Sequence, residues 1–432
     1  MLRGFRYRFY PTPEQESLLR RTIGCCRLVY NKALRERSTA WAQAKKSIGY
    51  AKQDRELTAW KKTDELSFLN EVSSVPMQQT LRHLQTAYSN FFHKRARYPS
   101  FKKKRHGGSA TFTRSAFRLR DGELTLAKMD APLDIRWSRP LPKDVRPSSA
   151  TVSLDAASRW HVSLLCEDTS IKPMPRLRTA VGIDLGISAL ATLSSGEKIP
   201  NPRHDASELR RKRMLSQSLA RKRKGSKNRF RARTKLARIH ARVADRRRDA
   251  LHKLSTRLVR ENQVIVVESL NVAGMVRNHS LARVISDAAW RMLLTMLGYK
   301  CEWYRRNLVE VDRFFPSSKT CHCCGFVLES LPLSVREWTC QSCGVVHDRD
   351  ENAALNLLAA GHAVTACGPG VRHRILRDSV QLGMKQEPPG ANQESPASRL
   401  SGCRRGRMST MQRKTSQRQT CVERDNPALA AP

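Results

Sequence analysis

Three acidic residues, each in a different local setting, have the types and placement to do metal-ion chemistry: Asp184 in VGIDLG, Glu268 near the end of VIVVESL and Asp350 in HDRDENAA. Carboxylate oxygens delivered from separate elements suit Mg²⁺ or Mn²⁺, and two such ions roughly 4 Å apart can activate water against a phosphodiester and stabilise its leaving oxygen. Taken singly, each acid also has an ordinary structural role. Asp184 can cap a turn, Glu268 can pair with one of many arginines, and Asp350 can cap a helix N-terminus. Only the combination, together with what lies between the second and third acids, points to a nuclease site.

That intervening segment carries Cys321-x-x-Cys324 and, after fifteen residues, Cys340-x-x-Cys343, with Gly325 and Gly344 following the second cysteine of each pair. Two thiolate pairs on tight turns can close a tetrahedron, so the spacing predicts a structural zinc ribbon. Cys323 is a spare thiol, and His322 and His347 are weaker ligand candidates. Two disulfides are the competing assignment. They are disfavoured because no secretory signal is visible and a cytosolic chain keeps its thiols reduced. Cys25, Cys26, Cys166 and Cys301 are scattered and are expected to be unpaired.

The elements that must position the acids follow from local pattern. Ala180-Val181-Gly182-Ile183 is a short apolar run that stops at Asp184 and turns at Gly186, as a buried strand does when it delivers a carboxylate to a sheet surface. Val264 to Val267 is a β-branched run without alternation, expected of a central strand covered on both faces, and Glu268 is the charge at its exit. Asp350-Glu351-Asn352 opens a helix whose apolar positions run from Ala353 to Leu358.

Charge names the class of partner. A net +42 over 432 residues is far beyond what solubility requires and points to a polyanion, with nucleic acid the default. The charge is densest from Glu208 to Arg248. There Arg210, Arg211, Lys212, Arg213, Arg221, Lys222, Arg223 and Lys224 lead through Gly225-Ser226-Lys227 to Arg229, Arg231, Arg233 and Lys235, a basic helical hairpin turning at Gly225. Leu236, Ile239, Val243 and Leu251 give its second arm an apolar face that docks on a core. A merely solvated hairpin is the alternative; with so few acids nearby, phosphate contact is favoured. No run reaches the eighteen apolar residues of a membrane span, so a soluble, intracellular protein of two or three domains is expected.

Phe5, Tyr7 and Phe9 alternate with Arg6 and Arg8 in a strand that Pro11-Thr12-Pro13 ends, with Thr12 placed to cap a helix. Helical spacing in Leu18, Leu19, Ile23, Leu28, Val29 and Leu34, and again in Leu81, Leu84, Ala87, Phe91 and Phe92, predicts an α-helical lobe. From Phe91 to Arg105 aromatics interleave with bases, including Lys102 and Lys103, which suits stacking and phosphate contact on RNA or single strands, although Phe91 and Phe92 fit a core equally well. Short strands are predicted at Ala110–Thr113, Glu123–Leu126, Leu133–Trp137, Ala150–Leu154 and Trp160–Leu165, making a small β-barrel with the first strand. Beyond about 368 the Pro, Gly, Ser, Gln and Arg mixture predicts disorder.

The order GIDLG, basic hairpin, VVESLNVAGM, FFPSSKTC, cysteine pairs and HDRDENAALN resembles the TnpB family, transposon-encoded RNA-guided DNA endonucleases related to type V CRISPR effectors. FRYRFYPTPEQESLLRRTIGCCRLVYN and YPSFKKKRHGG are similar to that family too, so the resemblance covers roughly residues 2 to 390. It implies an α/β RuvC-like, ribonuclease-H-type nuclease domain (177–315 and 345–366, with the hairpin at 208–260) and an inserted zinc-ribbon target-binding module (316–344). It also implies a split wedge β-barrel (1–12 and 106–172) carrying a helical recognition lobe (13–105), with a tail at 368–432. Asp184, Glu268 and Asp350 match the nuclease acids, with Asp350 rather than Asp348 aligned to the family's DxNAA acid and Asp348 in support. Arg336 matches a basic position that orients the scissile phosphate. The implied partners are a guide RNA from the transposon end and a target DNA beside a short adjacent motif, and the implied ions are structural Zn²⁺ and catalytic Mg²⁺ or Mn²⁺, in a prokaryotic cytoplasm or on the nucleoid. Such a division of labour leaves sequence to base pairing and backbone shape to the protein. A transposase performing strand transfer and a non-cleaving guided repressor are the rival functions. Arginine stands in Tyr304-Arg305-Arg306 where relatives often have glycine, and residues after about 392 match nothing in the family.

Overall fold

The alternation of aromatic and basic residues at the N-terminus produces β1 (Leu2–Tyr10), with Phe5, Tyr7 and Phe9 buried and the arginines facing outward or at the margin. The computed structural model describes residues 1–104, 107–142 and 145–366; the expected disordered tail at 368–432 lies outside them. Thr12 starts α1 (Pro13–Ala44) with a capping box: its Oγ1 accepts from the Gln15 amide at 3.3 Å while its own amide donates to Gln15 Oε1 at 3.1 Å. Two further helices, α2 (Tyr50–Trp60) and α3 (Ser74–Phe92), complete the expected helical region.

The strands that follow are β2 (Gly108–Thr113), β3 (Phe117–Arg120), β4 (Glu123–Leu126), β5 (Asp134–Arg136), β6 (Ser149–Leu154) and β7 (Trp160–Glu167). Four of them join β1 in an antiparallel sheet of order β2-β6-β7-β1-β5, and β3 and β4 pair separately. The N-terminal strand thus joins the later ones as expected. The strand pairings leave β2 and β5 as edges, so among the described residues this is a sheet that does not close into a barrel. Its core is continuous with that of the helices, where Leu19, Met77, Leu81 and Leu84 pack with Phe9, Phe112, Val162 and Leu164.

A second core belongs to a mixed sheet. Here β8 (Ala180–Asp184), β9 (Ala189–Leu193) and β10 (Lys198–Pro200) precede the hairpin helices α4 (Leu209–Ala220) and α5 (Lys227–Glu261). Next come β11 (Val264–Glu268), α6 (Val272–Met275), α7 (Ala282–Ala288), α8 (Trp290–Tyr304) and β12 (Asn307–Val311). The strand order is β10-β9-β8-β11-β12, with β8, β11 and β12 parallel. Each parallel step is bridged by helices, as a parallel pair requires. Ile265 and Val267 face the core built with α5 and α8, while Val266 faces the other side among Val309, Val311 and Leu357. Full burial on both faces explains the unbroken β-branched run. Arg305 ends α8 in the left-handed conformation, at φ 54°, which is the geometry glycine adopts most readily. Arg306 beside it is buried and donates to the carbonyls of Val259 and Pro175 and to Gln263 Oε1.

The cysteine segment carries a short hairpin of β13 (Glu337–Thr339) and β14 (Val346–Asp348), and the final helix, α9 (Arg349–Ala366), returns across β8 and β11. Glycines set how closely it lies. A Cβ on Gly182 would collide with the Ala354 carbonyl oxygen and stand 2.8 Å from the Leu358 amide nitrogen, and one on Gly361 would collide with Val266. Gly182→Ala must therefore lift α9 off the sheet. We expect a stability loss of about 1–3 kcal/mol, visible in denaturant unfolding, together with loss of any chemistry that depends on α9 meeting the sheet end.

Candidate nuclease and zinc sites

β8 and β11 run parallel with Ile183 opposite Val267, so Asp184 and Glu268 leave the sheet at the same end on adjacent strands. Asp350 enters from the first turn of α9. The Asp184 carboxyl registers both neighbours: burial first, then the charge of Asp350 and that of Glu268, raise its pKa to about 7 against the opposing pull of Arg349 and Arg336. Burial also raises Glu268. All three acids are half-buried. Such a cluster disfavours its own charged form and favours a bound cation. The three carboxylates are more widely spaced than the thiols: among the described residues, the groups of three or more whose candidate ligand atoms all lie within 4.8 Å of one another are built around cysteines.

The ordinary structural roles fall elsewhere. Asp348, not Asp350, caps the helix: its Oδ1 accepts from the amides of Asp350 at 3.1 Å and Glu351 at 3.0 Å, and its Oδ2 accepts from Lys198 Nζ at 2.6 Å. Burial opposes ionisation of Asp348, but Lys198 and these amides hold its pKa below the usual aspartate value. Asp350 faces Arg336 Nη1 at 3.6 Å. No arginine forms an ion pair with Glu268 among the described residues.

The four cysteines of the two pairs come together. Cys321 Sγ lies 3.6 Å from Cys343 Sγ, and Cys324 Sγ lies 3.6 Å from Cys340 Sγ. With Zn–S bonds of about 2.3 Å, a tetrahedral site has sulfur–sulfur edges of about 3.8 Å, so the donor set fits zinc. Two matching turns build it. The Gly325 and Gly344 amides donate to Cys321 O and Cys340 O, both at 2.9 Å. Both glycines have positive φ, 79° and 73°, which side-chain-bearing residues adopt at a cost. All the described cysteines are free, including the buried Cys25, Cys26, Cys166 and Cys301. His347, paired in register with Trp338, places Nε2 3.0 Å from Cys321 Sγ.

A connection between the two sites was not legible in the sequence. Asn352 and Asn356, one turn apart on α9 and both buried, donate their side-chain amides to the first cysteine turn. Asn352 Nδ2 reaches Thr320 O at 2.8 Å, Asn356 Nδ2 reaches Ser317 O at 2.8 Å and Thr320 O at 2.6 Å, and the His322 amide donates back to Asn352 Oδ1 at 3.0 Å. Arg349 adds a bond from its amide to Arg336 O at 2.8 Å and from Nη1 to Pro332 O at 2.9 Å. The helix that carries Asp350 thus also clasps the ribbon. The available signal was two amides at i and i+4 in an otherwise apolar helical run, DENAALN.

The basic residues divide. On the hairpin Arg211, Arg213, Arg221, Arg223 and Lys224 are exposed and Lys222 is half-buried, and none has an acidic partner among the described residues. Elsewhere the hairpin is tied down: Arg242 and Arg246 share Glu208, Arg247 meets Asp287 at 2.5 Å, and Lys212, between the exposed Arg211 and Arg213, pairs with Asp205. Lys103 is exposed. Lys102 is tethered by its backbone to the Asn31 side chain, and its ammonium sits 4.1 Å from the Tyr30 ring centre, where burial lowers its pKa. Phe92 is 72% exposed, and Tyr98 and Phe101 are exposed too, available for stacking.

Three family models match the chain: "Probable transposase" over residues 163–279, "Cas12f1-like, TNB domain" over 290–357 and "Helix-turn-helix domain" over 1–46. The last region holds a strand and one continuous helix rather than two helices and a turn. A putative RNA-guided DNA endonuclease of Streptomyces pristinaespiralis is 58% identical over 91% of this chain and 98% of its own length. The putative RNA-guided DNA endonuclease InsQ of Escherichia coli K12 is 31% identical over 90% and 97%. In fold, the chain is similar to the protein in a cryo-EM structure of the Cas12f1–sgRNA–target DNA complex, with a TM-score of 0.52 at 13% identity, covering 80% of this chain and 83% of that one. With relatives that match it over nine-tenths of its length and nearly all of theirs, the protein belongs to the TnpB and Cas12f-like family of RNA-guided DNA endonucleases.

Proposed function

We propose that this protein is an RNA-guided, divalent-metal-dependent DNA endonuclease of a transposable element, which cuts beside a short adjacent motif and supports retention of the element. The observation that carries this is that Asp184 and Glu268 leave adjacent parallel strands at one end of the mixed sheet, with Asp350 near enough on α9 that its charge and that of Glu268 add to burial in raising the Asp184 pKa, while burial raises that of Glu268. In this reading the sheet and its helices are a RuvC-like domain (177–315 and 345–366), the cysteine segment (316–344) is its target-binding ribbon, and the N-terminal sheet and helices are a wedge (1–12 and 106–172) carrying a recognition lobe (13–105).

The residues then have distinct tasks. Asp184, Glu268 and Asp350 hold Mg²⁺ or Mn²⁺, and the bound metal supplies an activated water and charge stabilisation at the leaving oxygen. Arg336, 58% exposed beside Asp350, positions the scissile phosphate. Cys321, Cys324, Cys340 and Cys343 hold structural zinc. Arg211, Arg213, Arg221, Lys222, Arg223, Lys224 and Lys103 offer charge to the phosphates of guide RNA and heteroduplex, and Lys102 contributes from beside Tyr30. The relatives' names and the nucleic-acid complex of similar fold support the partner class.

Sequencing of RNA that copurifies with the protein, followed by Mg²⁺-dependent cleavage of a plasmid matching that RNA beside a randomised flank, tests the proposal. A defined RNA with guide-dependent cutting is expected. A defined RNA with no cutting would replace the nuclease with a guided binder, and the absence of RNA would return the chain to transposase or general DNA-binding roles.

A further inference from the structure

We infer that the ribbon takes a second thiophilic ion, held by Cys323 and His347 and sharing the thiolate of Cys321. The sulfurs of Cys321 and Cys323 and a ring nitrogen of His347 all lie within 4.8 Å of one another, a second ligand set that meets the first at Cys321. Cys323 is the thiol left over when the two-residue spacing assigns Cys321 and Cys324 to the first ion, and it is exposed, so ions in solution reach it. The imidazole is already in place. His347 is 7% exposed, its ring lies 4.8 Å from that of Trp338, and its Nε2 stands 3.0 Å from Cys321 Sγ. A zinc ion bound by both atoms sets that edge at about 3.5 Å, so binding asks for a movement of about half an ångström.

Charge favours the arrangement. Four thiolates around one Zn²⁺ leave a formal charge of minus two; five thiolates, a neutral imidazole and two Zn²⁺ leave minus one. Ligation requires the imidazole proton to sit on Nδ1, leaving the Nε2 lone pair to the metal. Three protein donors leave one position for water, the pattern of an accessible rather than a purely structural site. The outer position of Cys323 makes this ion the exchangeable one.

The full-length chain, equilibrated with excess Zn²⁺ and then freed of unbound metal, would be assayed for metal per chain by mass spectrometry. In parallel, the protein loaded with ¹¹³Cd²⁺ alone would be studied by NMR. Two ions per chain are expected for the wild type, falling to one in Cys323→Ser and in His347→Ala, with two coupled cadmium signals becoming a single tetrathiolate signal. One ion in the wild type at excess metal would overturn the inference, as would two ions that persist in both variants. A single ion whose affinity falls in His347→Ala would also overturn it, by making the imidazole a hydrogen-bond donor to the Cys321 thiolate. Should His347→Ala lose both ions through misfolding, Cys323→Ser decides, because that side chain is exposed.

Discussion

Asp184→Asn is expected to abolish Mg²⁺-dependent cleavage, by at least about a thousandfold, while making the metal-free protein more stable at pH 8. The first effect follows from removing a metal-holding oxygen where charge stabilisation supplies much of the barrier reduction. The second follows from the carboxyl's environment. Its pKa in the folded chain is about 7, against an ordinary value of 3.8. Between those values the folded protein keeps a proton that the unfolded chain has released, so this group's contribution to stability falls as pH rises from about 4 to 7 and is fully unfavourable above 7. Asparagine keeps the shape without the charge. A gain of about 1–4 kcal/mol at pH 8, vanishing near pH 4, is expected from denaturant unfolding without divalent ions. An unstable variant, or one that still cuts, would contradict the placement of Asp184 at the metal site; equal RNA loading in both proteins separates loss of chemistry from loss of guide.

Removal of zinc is expected to silence cleavage although no zinc ligand is one of the three acids. A ribbon of this kind draws its folding energy from the metal, so chelation opens both cysteine turns. The carbonyls of Ser317 and Thr320 then leave Asn352 and Asn356, and the first turn of α9 loses the bonds that hold Asp350 towards Asp184. Asn352→Ala isolates the clasp from the metal. It leaves the His322 amide without its side-chain acceptor and the Ser317 and Thr320 carbonyls with Asn356 alone, at a cost of about 1–2 kcal/mol, and both zinc retention under chelator and the Mg²⁺ response of cleavage should weaken together. Chelated protein that retains zinc-free cutting would show that α9 holds Asp350 unaided.

The elements that carry Asp184 and Glu268 were legible because an apolar run that ends in a single charge has few other uses; the structure ends β8 and β11 on those residues. The Thr12 cap, the hairpin at Gly225 and the paired cysteine turns were legible for the same reason, as each depends on a few neighbouring residues. β12 was not. Its sequence NLVEV is short and carries a charge, and its place is fixed by pairing with β11 across three intervening helices, α6 to α8. β3, four residues with two arginines, is likewise made by its partner β4. Closure of the N-terminal strands into a barrel is a long-range property that alternation cannot specify, and the described pairings stop at β2 and β5. The link between α9 and the ribbon was hidden because asparagine in a helix reads as a weak helix former until its partner carbonyls are known.

Titration of the RNA-loaded protein with Mn²⁺, followed by electron paramagnetic resonance in the wild type and in Asp184→Asn, Glu268→Gln and Asp350→Asn, tests most directly whether these acids form one metal site. Tight Mn²⁺ binding in the wild type that is lost or weakened at least tenfold in all three variants, with RNA and zinc retained, is the predicted result. Mn²⁺ bound with unchanged affinity by the three variants would contradict the account.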